Sequence, residues 1–278
     1  MIGVGPYSFA ALSVLTAALV AWATARGLAV LLPIETPKAL DGMVLDAMLW
    51  GTLAARLGYI VQWWDEYSST PISMLSIGDG GFFWWVGVLT AIALIWWKTH
   101  ERRALRRPAL MGIAAGTLTW LAASSALALA QRSAPPLPAL ALTTLEERPL
   151  NLHAYAGRPV VLNLWASWCP PCRRELPAFH RAQAEFPDVA FVMVNQGESS
   201  QQARAFLQRE RLSFKDALLD PASQAMRAIG TQALPTTLFF DAQGRMVASH
   251  LGELSMASLR STVLRQFARP PQSRSEKE

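Results

Sequence analysis

Val160-Val161-Leu162-Asn163-Leu164-Trp165-Ala166-Ser167-Trp168-Cys169-Pro170-Pro171-Cys172 is the stretch that decides how the second half of this chain folds. Its first six residues form a short apolar, β-branched run, the pattern of a buried strand. Across 173–186 the spacing changes, and Leu176, Phe179, Ala182 and Phe186 share one helical face. A strand that passes directly into a helix puts Cys169 at the helix N-terminus. Unpaired N–H groups and the macrodipole favour an anion there. The thiolate is the reactive form of cysteine, so this position activates Cys169. Cys172 lies one turn on, close enough to attack a mixed disulfide. Pro170 and Pro171 suit a first helical turn and, lacking N–H groups, leave the sulfur fewer donors.

The chain has 278 residues and these are its two cysteines. A pair three apart cannot staple a fold. A structural zinc site needs four ligands; there is no third cysteine and His180 is isolated, so neither a metal nor another cofactor is expected. A buried, inert pair is the other competitor. Trp168 and the two prolines argue instead for an exposed helix end.

Strand and helix patterns continue to alternate downstream. Residues 189–194 read as a second buried strand. Residues 199–211 read as an amphipathic helix capped by Ser199, with Ala203, Phe206 and Leu207 inward. A short strand over 214–219 and a helix over 221–229, capped by Asp220, follow. Residues 236–240 and 246–250 form a hairpin joined through Asp241-Ala242-Gln243-Gly244, and a last helix covers 255–267. The expectation is an α/β domain over 140–268 with a central mixed β-sheet. Ahead of it, 131–139 is a Pro-rich spacer; behind it, 269–278 is polar and expected to be disordered.

The run from Asn163 through Cys172 to Arg173-Arg174-Glu175-Leu176-Pro177, with Leu234-Pro235-Thr236-Thr237 and 241–244, resembles the thioredoxin superfamily. Within it the likeness is to the membrane-tethered TlpA/ResA/CcmG group of extracytoplasmic thiol-disulfide oxidoreductases, and it covers about 137–268. The resemblance implies a redox-active Cys169–Cys172 disulfide, with Trp168, Pro170, Pro171 and Thr236 in supporting places. It implies a helix kinked at Pro177 and an extra strand and helix within 197–229. It also implies a cis peptide bond before Pro235, opening the next strand to an extended substrate peptide; a trans proline starting an edge strand is the plainer alternative. The chain departs from cytoplasmic thioredoxin at Asn163, where that protein has a buried Asp six residues before its first cysteine. Asn cannot take a proton from Cys172. Glu175, Glu198 and Glu253 are the candidate substitutes, although solvated surface charge is the ordinary reading of each.

Residues 1–130 are of another kind. They hold nine of the eleven tryptophans but only eight of the 25 Lys and Arg. Apolar stretches over 8–32, 42–62, 82–97 and 109–130 give an α-helical membrane domain of about four spans. The third is short and needs Trp84, Trp85, Trp96 and Trp97 at the interfaces. The first lacks the basic start and short apolar run of a cleaved signal peptide. Lys98, Arg102, Arg103, Arg106 and Arg107 fall between spans three and four, which places that connection in the cytoplasm. Asp65, Glu66 and Asp79 then lie outside, as do the N-terminus and everything from 131 onward. Asp46 and Arg56, inside the second span, are expected to snorkel or to pair with each other. Ala55-Arg56-Leu57-Gly58-Tyr59-Ile60, Pro71 and 77–82 resemble the early part of prolipoprotein diacylglyceryl transferase. That family continues with a His-Gly-Gly motif, whereas this chain reads Phe83-Trp84-Trp85-Val86-Gly87. A truncated relative without acyl transfer is expected.

These readings converge on a multi-pass protein of a bacterial inner membrane that reduces protein disulfides in the periplasm. Oxidised proteins would be its substrates, a DsbD-type membrane protein its electron donor, and the bilayer its anchor. Cytochrome c maturation, copper-site assembly and general repair all fit. Alternatives are a disulfide-forming oxidase or isomerase with the same site, or a non-enzymatic docking subunit. The net charge of +5 comes without a basic stripe interleaved with aromatics, so nucleic-acid binding is not expected.

Overall fold

The computed structural model describes residues 3–4, 7–32, 37–69, 71–132 and 136–267. The centre of the expected spacer, 133–135, and the expected disordered tail lie outside the described residues. The chain divides into two compact units at about residue 130.

The first unit opens with a short antiparallel pair, β1 (Gly3–Val4) and β2 (Tyr7–Ser8). Its helices are α1 (Phe9–Leu31), α2 (Pro37–Gln62), α3 (Trp64–Ser69), α4 (Trp84–Lys98) and α5 (Arg103–Arg132). Three of them are long and apolar enough to cross a membrane, and α4 is a shorter apolar helix. Large apolar side chains such as Leu15, Leu19, Val30 and Leu57 stay exposed along them, the surface that hydrocarbon would cover. The basic segment is not one loop. Only residues 99–102 are non-helical, because α5 already begins at Arg103. Arg106 stacks over the Trp96 ring at 4.0 Å and its Nε donates to Thr99 Oγ1 at 2.9 Å, which braces the turn. Asp46 and Arg56 do not pair with each other. Asp46 meets Lys98 and Arg56 meets Asp79, since ten residues along one helix is too far for contact while neighbouring segments supply partners.

Small residues let these helices approach closely. A Cβ on Gly112 would stand 2.6 Å from the Ala21 carbonyl oxygen and 2.9 Å from Ala25 Cβ, so α5 packs on α1 backbone to backbone. Gly51 of α2 and Gly87 of α4 meet in the same way.

The second unit is built on a seven-stranded sheet. Its strands are β3 (Ala141–Thr144), β4 (Pro149–Asn151), β5 (Val160–Trp165), β6 (Ala190–Gln196), β7 (Asp216–Asp220), β8 (Thr236–Phe240) and β9 (Met246–Leu251). Spatial order is β4-β3-β7-β6-β5-β8-β9. The central β5, β6 and β7 run parallel; β8 is antiparallel to β5 and β3 to β7, so the sheet is mixed, as expected. Both β5 and β6 are buried along their whole length, which is why they read as continuous apolar runs. The edge strand β4 and its neighbour β3 carry no legible pattern, being three and four residues long with only one buried position between them. The helices are α6 (Pro170–Glu185), α7 (Ser200–Arg209), α8 (Gln224–Ile229) and α9 (Met256–Phe267). Ser199 and Gln202 form a reciprocal capping box on α7. Asp220 lies outside α8 but accepts from the Gln224 and Ala225 N–H groups, so the expected cap is made from a distance. Alternation along β5 sends Val161 and Trp165 into one core with Leu176, Phe179, Phe206 and Leu259, and Leu162 and Leu164 into the other with Val192, Leu218 and Phe240.

Gly112→Leu is expected to destabilise the first unit by about 1–3 kcal/mol through overpacking. Gly27→Ala, where nothing lies within 4 Å of the added Cβ, is expected to be neutral or slightly stabilising. Thermal unfolding in detergent, followed by tryptophan fluorescence, checks both.

Candidate active site

Strand β5 ends at Trp165, and α6 begins at Pro170 after four intervening residues. Cys169 is its N-cap residue, with extended φ/ψ of −90° and 107°, and Pro170 and Pro171 fill the first two helical positions. Because prolines carry no N–H, the first available donor is that of Cys172, and it points at Cys169 Sγ (3.3 Å). The Cys169 N–H donates to the Ala166 carbonyl (3.2 Å) and its own carbonyl accepts from Arg173 N (3.1 Å). Cys169 and Cys172 are joined as a disulfide with Cα atoms 5.3 Å apart. The surroundings are exposed as expected, with Trp168 at 66% and Pro170 also exposed, but the cysteines are not: Cys169 is 3% accessible and Cys172 is fully buried. The N-cap geometry folds the Cys169 side chain back over the helix end, leaving the rim rather than the sulfurs in solvent.

On either side of this junction, on β5 and α6, stands a buried polar pair. Asn163, pointing from the middle of β5, is fully buried, and so is Glu175, three residues beyond Cys172 on the inner face of α6. Asn163 Nδ2 donates to Glu175 Oε1 (2.7 Å) and to Thr237 Oγ1 (3.0 Å). The Leu254 N–H donates to Glu175 Oε2 (2.9 Å). Burial pushes the Glu175 carboxyl up to about 8 and Glu253 nearby adds to this, outweighing the two hydrogen bonds that favour the carboxylate. Asn163 Oδ1 has no partner. Rotating the amide by 180° would turn that acceptor toward a protonated Glu175. Solvated surface charge is thus the wrong reading of Glu175: the Asn that cannot hold a proton contacts an acid that can.

Glu198 is also buried, for a different reason. Its carboxylate accepts from Ser167 N (2.7 Å), Ser167 Oγ and Asn195 Nδ2 (2.6 Å), clamping the turn that delivers Cys169. Glu253 is a half-buried surface acid paired with Arg174 at 2.6 Å. Pro235 follows a cis peptide bond at the entry to β8. Its carbonyl accepts from Gly252 N (2.9 Å), which ties the cis turn to the end of β9. Thr236 turns its hydroxyl to the Ala233 carbonyl (2.7 Å), supporting the loop. Thr237, two residues after Pro235 and buried in β8, joins the site by accepting from Asn163; its place in the Leu234-Pro235-Thr236-Thr237 motif is the signal for it in the sequence. Among the described residues no three of His, Cys, Asp and Glu converge to hold a metal ion.

Two family matches divide the chain. Residues 132–263 match Redoxin and residues 3–124 match prolipoprotein diacylglyceryl transferase. The thiol-disulfide oxidoreductase ResA of Halalkalibacterium halodurans is 32% identical over 116 residues, 41% of this chain and 65% of that protein. The thioredoxin-like protein YneN of Bacillus subtilis is 35% identical over 123 residues, 42% of this chain and 71% of that protein. The crystal structure of StoA from Bacillus subtilis aligns with a TM-score of 0.40 at 26% identity, covering 46% of this chain and 98% of that one. The chain thus spans just under two thirds of the ResA protein it matches.

A buried acid raised to about 8 binds a proton in the folded state that the unfolded chain has already released. Stability is therefore expected to fall as pH rises from the ordinary carboxylate range to about 8, by about 1.4 kcal/mol per unit at most. Glu175→Gln should flatten this dependence. Urea unfolding of the second unit, followed in the oxidised full chain at a series of pH values, checks it.

Proposed function

Because this chain belongs to the thioredoxin-like thiol-disulfide oxidoreductases, we propose that it exchanges dithiol for disulfide with protein substrates through Cys169 and Cys172. The observation that carries this is the disulfide at the N-cap of α6, its one aimed N–H coming from Cys172. In the reducing direction, the Cys169 thiolate attacks a sulfur of the substrate disulfide and expels the other as a thiolate. Cys172, deprotonated, then attacks Cys169 Sγ. The mixed disulfide breaks, the substrate leaves as a dithiol, and the chain is left oxidised as Cys169–Cys172. Glu175, one turn along the inner face of α6 from Cys172, takes up the proton that Cys172 must lose. A carboxyl poised near neutrality suits that exchange, and Asn163 orients it. Exposed Trp168 and Pro170, with Leu234 before Pro235, supply the apolar rim for an unfolded partner segment.

The apolar helices of 3–129 anchor the chain in the bacterial inner membrane. The basic residues around 98–107 hold that end in the cytoplasm, so the second unit works in the periplasm. A periplasmic reductase needs electrons from the cytoplasm. The first unit contains no cysteine to relay them, so a second membrane protein of the DsbD type supplies them. The transferase resemblance lacks its His-Gly-Gly motif, which leaves anchoring as the role of the first unit.

In the full chain in detergent, Cys169→Ser is expected to abolish reduction of insulin disulfides. Cys172→Ser should accumulate a mixed disulfide with the substrate, seen on a non-reducing gel. If neither wild type nor variant engages a substrate, the docking-subunit reading replaces this one. Equilibration with glutathione decides direction: a potential near about −270 mV supports a reductase and one near about −120 mV an oxidase.

A further inference from the structure

Helix α4 is too short to cross a bilayer. Its 15 residues rise ~22 Å against a hydrocarbon thickness of ~30 Å. Its antiparallel neighbour α2 has 26 residues, ~39 Å. The register between them is fixed where Phe83 N donates to the Ala55 carbonyl (3.1 Å) and where Gly87 meets Gly51. From Ala55 the α2 helix runs on to Gln62, ~10 Å beyond the start of α4. The missing height is filled by residues 71–83.

That segment is folded around one side chain. Arg56 is 8% exposed. Its Nη1 donates to Asp79 Oδ1 (2.8 Å) and the Gly81 carbonyl (2.9 Å). Its Nη2 lies 3.1–3.3 Å from the carbonyl oxygens of Ser73, Met74 and Ser76 and from Asp79 Oδ2. Asp79, also buried, accepts from Tyr67 OH (2.7 Å) and Gly81 N (3.0 Å). The guanidinium lies over the Tyr67 and Phe82 rings, 5.2 and 5.5 Å from their centroids. Gly81 admits nothing larger: a Cβ there would stand 2.5 Å from the Tyr59 ring and 2.7 Å from Arg56 Nη1. The other side of the segment is apolar and open, with Ile72 82% and Leu75 81% exposed.

In water this arrangement has no evident purpose, since water would satisfy the carbonyls and two bare aliphatic side chains would be unfavourable. In hydrocarbon both halves make sense. Residues 71–75 and 77–79 form two short 3-10 turns; backbone at membrane depth that is not continuous α-helix must find its remaining hydrogen bonds inside the protein, and its outer surface must be apolar. The aromatic belts agree: from Asp41, at the Trp96/Trp97 end, to Trp63 is ~33 Å along α2, and Arg56 falls ~10 Å inside the Trp63 boundary.

We infer that residues 71–83 are a re-entrant stretch dipping into the leaflet remote from the basic turn, with Ile72 and Leu75 against lipid acyl chains and Arg56 as the internal hub that donates to the carbonyls of Ser73, Met74, Ser76 and Gly81. The inference rests on the membrane reading of 3–129. Ile72→Cys, Leu75→Cys, Asp65→Cys and Leu15→Cys are introduced singly into the full-length Cys169→Ser/Cys172→Ser chain, nitroxide-labelled and reconstituted in phosphatidylcholine liposomes. Collision with oxygen is compared with collision with a water-soluble nickel chelate. The oxygen-to-nickel ratio at 72 and 75 is expected to exceed that at 65 several-fold and to approach that at 15. Nickel access at 72 and 75 with oxygen access at 15 overturns the re-entrant placement alone. Low access to both reagents at 72 and 75 means a protein surface covers them and overturns it as well. Nickel access at 15 overturns the membrane reading itself. Adding Arg56→Met should raise nickel access at 72 and 75; unchanged ratios would remove Arg56 as the hub.

Discussion

The junction between β5 and α6 is the constraint on which the second unit depends. A fully buried strand must end, and a helix must begin, within four residues, and the helix start must satisfy donors that have no partner of their own. Two prolines remove the first two of these donors, and the sulfur of the N-cap residue meets the third. The same geometry that solves a backbone problem thereby points a hydrogen bond and a helix dipole at a sulfur. Structure and reactivity share one feature, and neither could be altered without the other.

Around that junction the chain places two buried carboxylates with opposite jobs. Glu198 accepts three hydrogen bonds, from the turn and from β6, and so holds Ser167 in place. Glu175 accepts only two, inside an apolar core, and desolvation wins. Counting donors separates the two carboxylates where residue type cannot. Asn163, which stands where cytoplasmic thioredoxin has an acid, donates to the buried Glu175 of the facing helix across a 2.7 Å hydrogen bond.

The first unit applies the same accounting under a different solvent. Arg56 and Asp79 are buried together, and the guanidinium donates to the backbone carbonyls of Ser73, Met74 and Ser76. Gly51, Gly87, Gly112 and Gly116 let helices touch through their backbones, which suits surroundings where apolar burial gives little drive to association.

Sequence alone determined whatever depends on near neighbours. The strand 160–165, the helix behind it and the hairpin around 241–245 were legible because strand and helix periodicities are local. So were the apolar helices, since a bilayer demands a run of about 20 residues. The placement of Cys169 at a helix start followed from the same local reading. Tertiary structure decided which polar groups meet. Asn163 and Glu175 are 12 residues apart, Ser167 and Glu198 are 31, and Arg56 and Asp79 are 23. Each acid looks like a surface charge until packing removes water from one side of it. Burial is a property of the assembled layers, so no window of sequence contains it.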